Sequence, residues 1–127
     1  KLVTLRAKRR DAARLYAAWL EESRGVAIID RLRSERSACH LMSIVVEPDR
    51  RSAIRQACHR RRIETGWHYP CITELSVYRD MTSPRAVQAS IEFARRQITL
   101  PMHPRLSDGD IKTVCEAVLE GATVSVA

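Results

Sequence analysis

What most restricts the fold of this chain is that its apolar residues change period along the sequence. Near the C-terminal end they recur as Ile111, Val114, Cys115, Val118 and Leu119, the i, i+3, i+4, i+7, i+8 spacing of one helix face. Elsewhere they gather in short runs, VAIID, CHLMSIVVEP and ITL, which read as strands. Stretches of the two kinds follow one another, so the fold must layer helices on a small sheet.

A first helix is expected from Leu2 to about Glu22, with Leu5, Ala12, Tyr16, Trp19 and Leu20 near one face and Gly25 after its end. VAIID, residues 26–30, is a short strand. CHLMSIVVEP is a longer one that stops at Pro48, which has no N–H to offer a ladder. DRRSAIRQACHRRR is helical, with Asp49 as its cap and Ile54, Ala57, Cys58 and Arg61 on one face. IETGWHY resumes an extended run, and residues 70–83 form a loop long enough to carry function. Ser83 and Pro84 open a helix that buries Val87, Ile91 and Ala94. ITL precedes the proline pair Pro101 and Pro104. Ser107 with Asp110 three residues later resembles a capping box for the last helix, which Gly121 ends. The expectation is one domain over residues 1–127, α/β or α+β, with a small antiparallel or mixed sheet flanked by helices.

Composition narrows the function classes. With 127 residues, 45% of them hydrophobic, the chain can bury a core. No apolar run approaches the roughly 20 residues of a membrane span, and the basic N-terminus has no signal-peptide core. Cys39, Cys58, Cys71 and Cys115 form no CxxC pair, which suits reduced thiols in a cytoplasmic protein rather than disulfides or a structural zinc. The net charge of +7 raises nucleic acid as a partner. The 19 arginines, however, are spread over every segment and only six aromatics are present, which argues for solvated helix faces instead. The four isolated glycines exclude a P-loop and a dinucleotide fingerprint, and no serine sits in a G-x-S-x-G context. No carboxylate pair stands out. The chain starts inside a helix without methionine, as expected of a fragment, a processed chain or one piece of a split protein.

Among groups able to do chemistry, Cys58 and His59 are adjacent on a helix and face different ways. Cys71 lies three residues after His68 and can approach it, although a buried structural cysteine accounts for it as well. His68 and Tyr69 stand together where the extended run breaks on Pro70. On residue type alone they are a hydrogen-bonding rim.

Their context changes this. SACHLMSIVV, RRRIETGWHYP and ARRQITLPMHPRLSDGDIKTVCEAVL together resemble the C-terminal part of the DegT/DnrJ/EryC1/StrS family, pyridoxal-phosphate-dependent sugar aminotransferases of fold type I. Arg9, Ala12 or Ala13, and Tyr16 match an R-x-x-A-x-x-Y helix, and Ser37 with His40 a strand opening S-x-x-H. Ile63, Thr65 and His68-Tyr69-Pro70 match a run ending in HYP. Leu100, Pro101, Pro104 and Leu106 match the segment before the terminal helix. The resemblance covers essentially the whole chain. It implies that His68 and Tyr69 face a sugar-nucleotide substrate in a cleft shared across a dimer. His40 is either a structural strand residue or a site wall, and His103 is structural.

Two departures from the pattern imply an altered or lost substrate. Cys71 to Glu74, CITE, replaces the proline and second histidine that often follow HYP, and Arg62 replaces the usual glycine. The resemblance also implies pyridoxal phosphate, a Schiff-base lysine and a phosphate cradle. Lys1, Lys8 and Lys112 offer no such context, so the cofactor is expected on a large domain absent from this chain. Completion would come from that domain or from a homologous full-length aminotransferase chain, in a homo- or hetero-oligomer. The alternatives are a non-catalytic partner of such an enzyme, with an exposed apolar patch on the first helix, and a basic nucleic-acid-binding module.

Overall fold

The computed structural model describes residues 1–29, 37–78, 81 and 84–123, without the side chains of Pro84 and Ala86. Three strands, β1 (Val26–Ile28), β2 (Met42–Val46) and β3 (Gln97–Leu100), form one antiparallel sheet in the order β1-β2-β3. The helices are α1 (Leu2–Leu20), α2 (Arg50–Arg60), α3 (Gln88–Arg96) and α4 (Asp108–Thr123). Of the expected strand over 26–30, Asp30 lies outside the described residues, as does the capping residue Ser83.

The core forms because one face of β2 is apolar. Met42, Ile44 and Val46 are buried while Ser43 and Val45 between them are only half-buried. With Ile98 and Leu100 of β3 they pack against Tyr16 and Leu20 of α1, Ile54 and Cys58 of α2, and Ile111, Val114 and Val118 of α4. The Tyr16 hydroxyl donates to the Pro101 carbonyl at 2.8 Å, which ties α1 to the turn after β3. The α4 cap is reciprocal: Asp110 N–H donates to Ser107 Oγ at 3.1 Å, and Ser107 N–H to Asp110 Oδ2 at 2.8 Å.

Several expectations need correction. The strand around CHLMSIVVEP starts only at Met42, because Cys39 sits at φ 46°, a left-handed conformation no strand residue takes. Asp49 makes no side-chain cap bond, and Arg61 points to solvent and pairs with Glu120 at 2.9 Å. Trp19 is 41% exposed, with the Lys112 ammonium 5.7 Å from its ring centroid. The helix expected from Pro84 begins as a 3₁₀ turn over Pro84–Val87, and of its three expected core residues only Ala94 is buried, Val87 and Ile91 being half-exposed. The loop after Pro70 carries a 3₁₀ turn over Ile72–Glu74.

Gly121 does not end α4. It is buried inside the helix, where a side chain would collide with the α2 backbone: a Cβ there would stand 2.7 Å from Ile54 N and 3.0 Å from the Ala53 carbonyl carbon. Its lack of a side chain lets α2 and α4 touch backbone to backbone.

Candidate functional site

The site is built on the sheet face turned away from α1, α2 and α4. Ser43 pairs with Thr99 and Val45 with Gln97, so these four side chains share that face. The expected extended run IETGWHY reaches it only through a single bridge. Gly66 N–H donates to Thr99 O at 2.8 Å, and Thr99 N–H to Gly66 O at 3.0 Å. Pairing stops there because the next residues are held by side chains instead. Trp67 Nε1 donates to Ala94 O at 2.9 Å, and the Arg51 guanidinium lies 5.1 Å from the Trp67 ring centroid. Glycine at 66 admits the His68 ring folding back on it: a Cβ would come within 2.7 Å of His68 Cε1.

Four hydrogen bonds then orient His68. Its backbone N–H donates to Gln97 Oε1 at 3.2 Å, which settles which end of the Gln97 amide is which. The amide nitrogen of this fully buried side chain donates to Ser43 Oγ at 3.1 Å and to Thr99 Oγ1 at 2.6 Å. Thr99, already an acceptor there, has one hydroxyl proton to give. Its remaining partner is His68 Nδ1 at 2.9 Å. Either the Thr99 hydroxyl donates to Nδ1 or an Nδ1–H donates to the second lone pair of Thr99 Oγ1, according to the tautomer. Nε2 has no hydrogen-bond partner among the described residues.

The His68 ring borders a groove of about 320 Å³ with His40, Glu64, Thr65, Thr99 and Met102. The two histidines thus meet at one concavity, 28 residues apart in sequence. Tyr69 is not part of the groove wall. It stands beside it, 71% exposed, its ring edge-on to His68 with centroids 5.0 Å apart. An unengaged imidazole nitrogen and an exposed phenol can both hydrogen-bond to a polar ligand.

The remaining reactive groups lie elsewhere. All four cysteines are buried free thiols, and burial pushes Cys58 up to about 11 and Cys115 up to about 12, which leaves them poor nucleophiles. Cys71 contacts Thr73 Oγ1 at 3.2 Å rather than His68. His103 Nδ1 accepts the Arg105 N–H at 3.2 Å within the turn before α4. No three His, Cys, Asp or Glu side chains converge on a metal-sized site among the described residues. No helix among them is long and apolar enough to cross a membrane. Sequence reading missed Gln97, Thr99 and Ser43. The one available signal was two polar residues, Gln97 and Thr99, alternating with the apolar pair Ile98 and Leu100.

Comparison with known proteins agrees with this architecture. The chain is 31% identical over 111 residues to the dTDP-4-dehydro-2,3,6-trideoxy-D-glucose 4-aminotransferase of Saccharopolyspora spinosa, covering 86% of this chain and 28% of that protein. Its fold matches PseC of Helicobacter pylori, an aminotransferase involved in the biosynthesis of pseudoaminic acid. The TM-score is 0.83 at 24% identity, over 93% of this chain and 33% of that one. It also matches the putative sugar aminotransferase Spr1654 of Streptococcus pneumoniae in its apo form. There the TM-score is 0.86 at 24% identity, over 95% of this chain and 31% of that one. The chain therefore spans about a third of the length of the relatives it matches. The model of the DegT/DnrJ/EryC1/StrS aminotransferase family covers residues 1–119, and the chain belongs to that family.

Proposed function

We propose that this chain is the substrate-side small domain or subunit of a pyridoxal-phosphate-dependent sugar aminotransferase. It holds a keto-sugar acceptor, commonly nucleotide-linked, while an amino acid such as glutamate donates the amino group. One observation carries the proposal. His40 and His68 border the same groove, and Gln97 and Thr99 hold His68 with its Nε2 unpaired among the described residues. A ring held this way presents a hydrogen-bonding nitrogen to a sugar hydroxyl, which can donate or accept, without first losing rotamer freedom. Tyr69 donates beside it from the rim. Each such neutral contact stabilises the bound sugar by about 0.5–1.5 kcal/mol.

The family is dependent on pyridoxal phosphate, and Spr1654 structures are described as PLP and PMP forms. The described residues of this chain do not fit the cofactor. A lysine able to hold it must point into the site. None of the three lysines borders the His68 groove, and Lys112 is engaged over Trp19 and 4.0 Å from Glu116. No bond-making step is therefore assigned to residues 1–127. Their part is to bind and orient the acceptor. The cofactor belongs to a PLP-binding large domain or a homologous full-length chain, which completes the site in an oligomer in the cytoplasm. That the chain spans 28–33% of its relatives supports this division.

Intact mass spectrometry of the natively purified protein tests it. The expected species carries a PLP-modified lysine outside residues 1–127, either on the same polypeptide or on a tightly bound partner. A 14.5 kDa species alone, with no cofactor mass, would overturn it. A second reading, a non-catalytic partner of an active aminotransferase, is supported by Leu2 and Val3, which are 77% and 82% exposed on α1. It predicts co-purification with a full-length relative that keeps its activity when this chain is removed.

A further inference from the structure

A second concavity, of about 760 Å³, lies between α2, the Ile63–Thr65 segment and α3. Its volume is that of a small-molecule pocket. Arg51, Arg55 and His59 stand at i, i+4 and i+8 along α2 and so share one face, and Arg95 lines it from α3. Glu64 is its single carboxylate among the described residues.

These arginines differ from others nearby. At the far end of the same helix, Arg60 and Arg61 reach Glu120 at 2.7 and 2.9 Å. Arg51, Arg55 and Arg95 have no carboxylate within ion-pair distance among the described residues. Arg55 makes only a 3.5 Å contact to Thr65 Oγ1. Arg51 donates through Nε to Gln97 O at 2.9 Å and covers the Trp67 ring, while its Nη2 is buried with no acceptor. Burial first, and then the neighbouring Arg55 charge, pull the Arg51 guanidinium below its usual range. Three like charges facing one concavity repel, and a buried donor without an acceptor destabilises the fold. A bound anion would relieve both.

We propose that this groove binds the phosphate or diphosphate group of a small molecule, beside the His68 groove, with which it shares Glu64 and Thr65 but not His68. Guanidinium forks match phosphate oxygens two at a time. Among the described residues no Phe, Tyr or Trp lines the groove, so they offer no stacking platform for a nucleic-acid strand.

Calorimetric titration of the natively purified protein with inorganic pyrophosphate at low ionic strength tests this, alongside the double variant Arg55→Ala/Arg95→Ala. The expected result is saturable binding that weakens about tenfold or more for each guanidinium removed. Unchanged melting of the variant by circular dichroism, expected for two solvent-facing side chains, excludes unfolding as the cause. His68→Ala should leave pyrophosphate affinity unaltered. That separates this site from the acceptor groove, so either can fail alone. A nucleoside diphosphate that binds more tightly than pyrophosphate identifies a nucleotide as the source of the phosphate. Equal affinity identifies the phosphate alone as what is recognised. Absence of saturable binding, equal binding by the double variant, or loss of binding in His68→Ala would overturn the proposal. So would a single-stranded oligonucleotide that binds more tightly than either probe with steep salt dependence.

Discussion

Replacing Arg62 with glycine should stabilise the protein. Arg62 follows the last turn of α2 at φ 58°, in the left-handed region. Its N–H donates to His59 O at 2.9 Å and the Ile63 N–H to Cys58 O at 2.9 Å. These two bonds define a Schellman motif, whose left-handed position is usually glycine. Ile63 then packs against the core beside α2, as the residue after such a motif commonly does. An L-residue in this conformation is destabilised by roughly 1–2 kcal/mol. Glycine removes that strain but adds about 0.4–1 kcal/mol of unfolded-state freedom. The net gain is about 0.5–1 kcal/mol, or roughly 2–5 °C in melting temperature for a domain of this size. Thermal denaturation followed by circular dichroism measures it. Arg62→Ala is the control: it removes the guanidinium but keeps the strain, and should show no gain. Equal gains in both variants would mean that the guanidinium, not the backbone, is unfavourable. A destabilised Arg62→Gly protein would refute the reasoning outright.

Three further outcomes follow from the packing. Gly121→Ala should destabilise by about 1–3 kcal/mol or more, because the added methyl meets the α2 backbone, which cannot move aside as a side chain can. Chemical denaturation quantifies it. Tyr16→Phe should lose about 1–2 kcal/mol in the same assay, since it leaves the Pro101 carbonyl without its 2.8 Å donor. Hydrogen bonds from Ser107 hold the Asp110 carboxyl below its ordinary range. A group depressed in the folded state stabilises above its unfolded pKa, near 4, and that stabilisation is lost as pH falls through the lower folded value. The melting-temperature advantage of the natural protein over Asp110→Ala should thus be full at pH 6 and shrink below about pH 4.

Periodicity made the helices and the three short strands legible. Ile111, Val114, Cys115 and Val118 mark α4, and the Ser107–Asp110 pair marks its start, because both patterns act within a few residues. What escaped depends on contacts distant in sequence. Gly121 looks like a helix terminator until α2 comes to lie against it. IETGWHY looks like a strand until Trp67 is claimed by Ala94, 27 residues away. Arg62 stands where the family pattern has glycine, and only its φ explains why. At the site, His68 and Tyr69 stood out through their motif. Gln97 and Thr99 did not, because their role comes from the β2–β3 register and the Gly66–Thr99 bridge.

The central claim is that His68 serves the acceptor and not the cofactor. Titration of the natively purified enzyme with a nucleotide-linked keto sugar, repeated for His68→Ala and read beside the visible absorbance of bound pyridoxal phosphate, tests it most directly. The account predicts weaker sugar binding by about two- to tenfold, equivalent to about 0.5–1.5 kcal/mol, with the cofactor spectrum unchanged. Unaltered sugar affinity, or a lost cofactor spectrum, would contradict it.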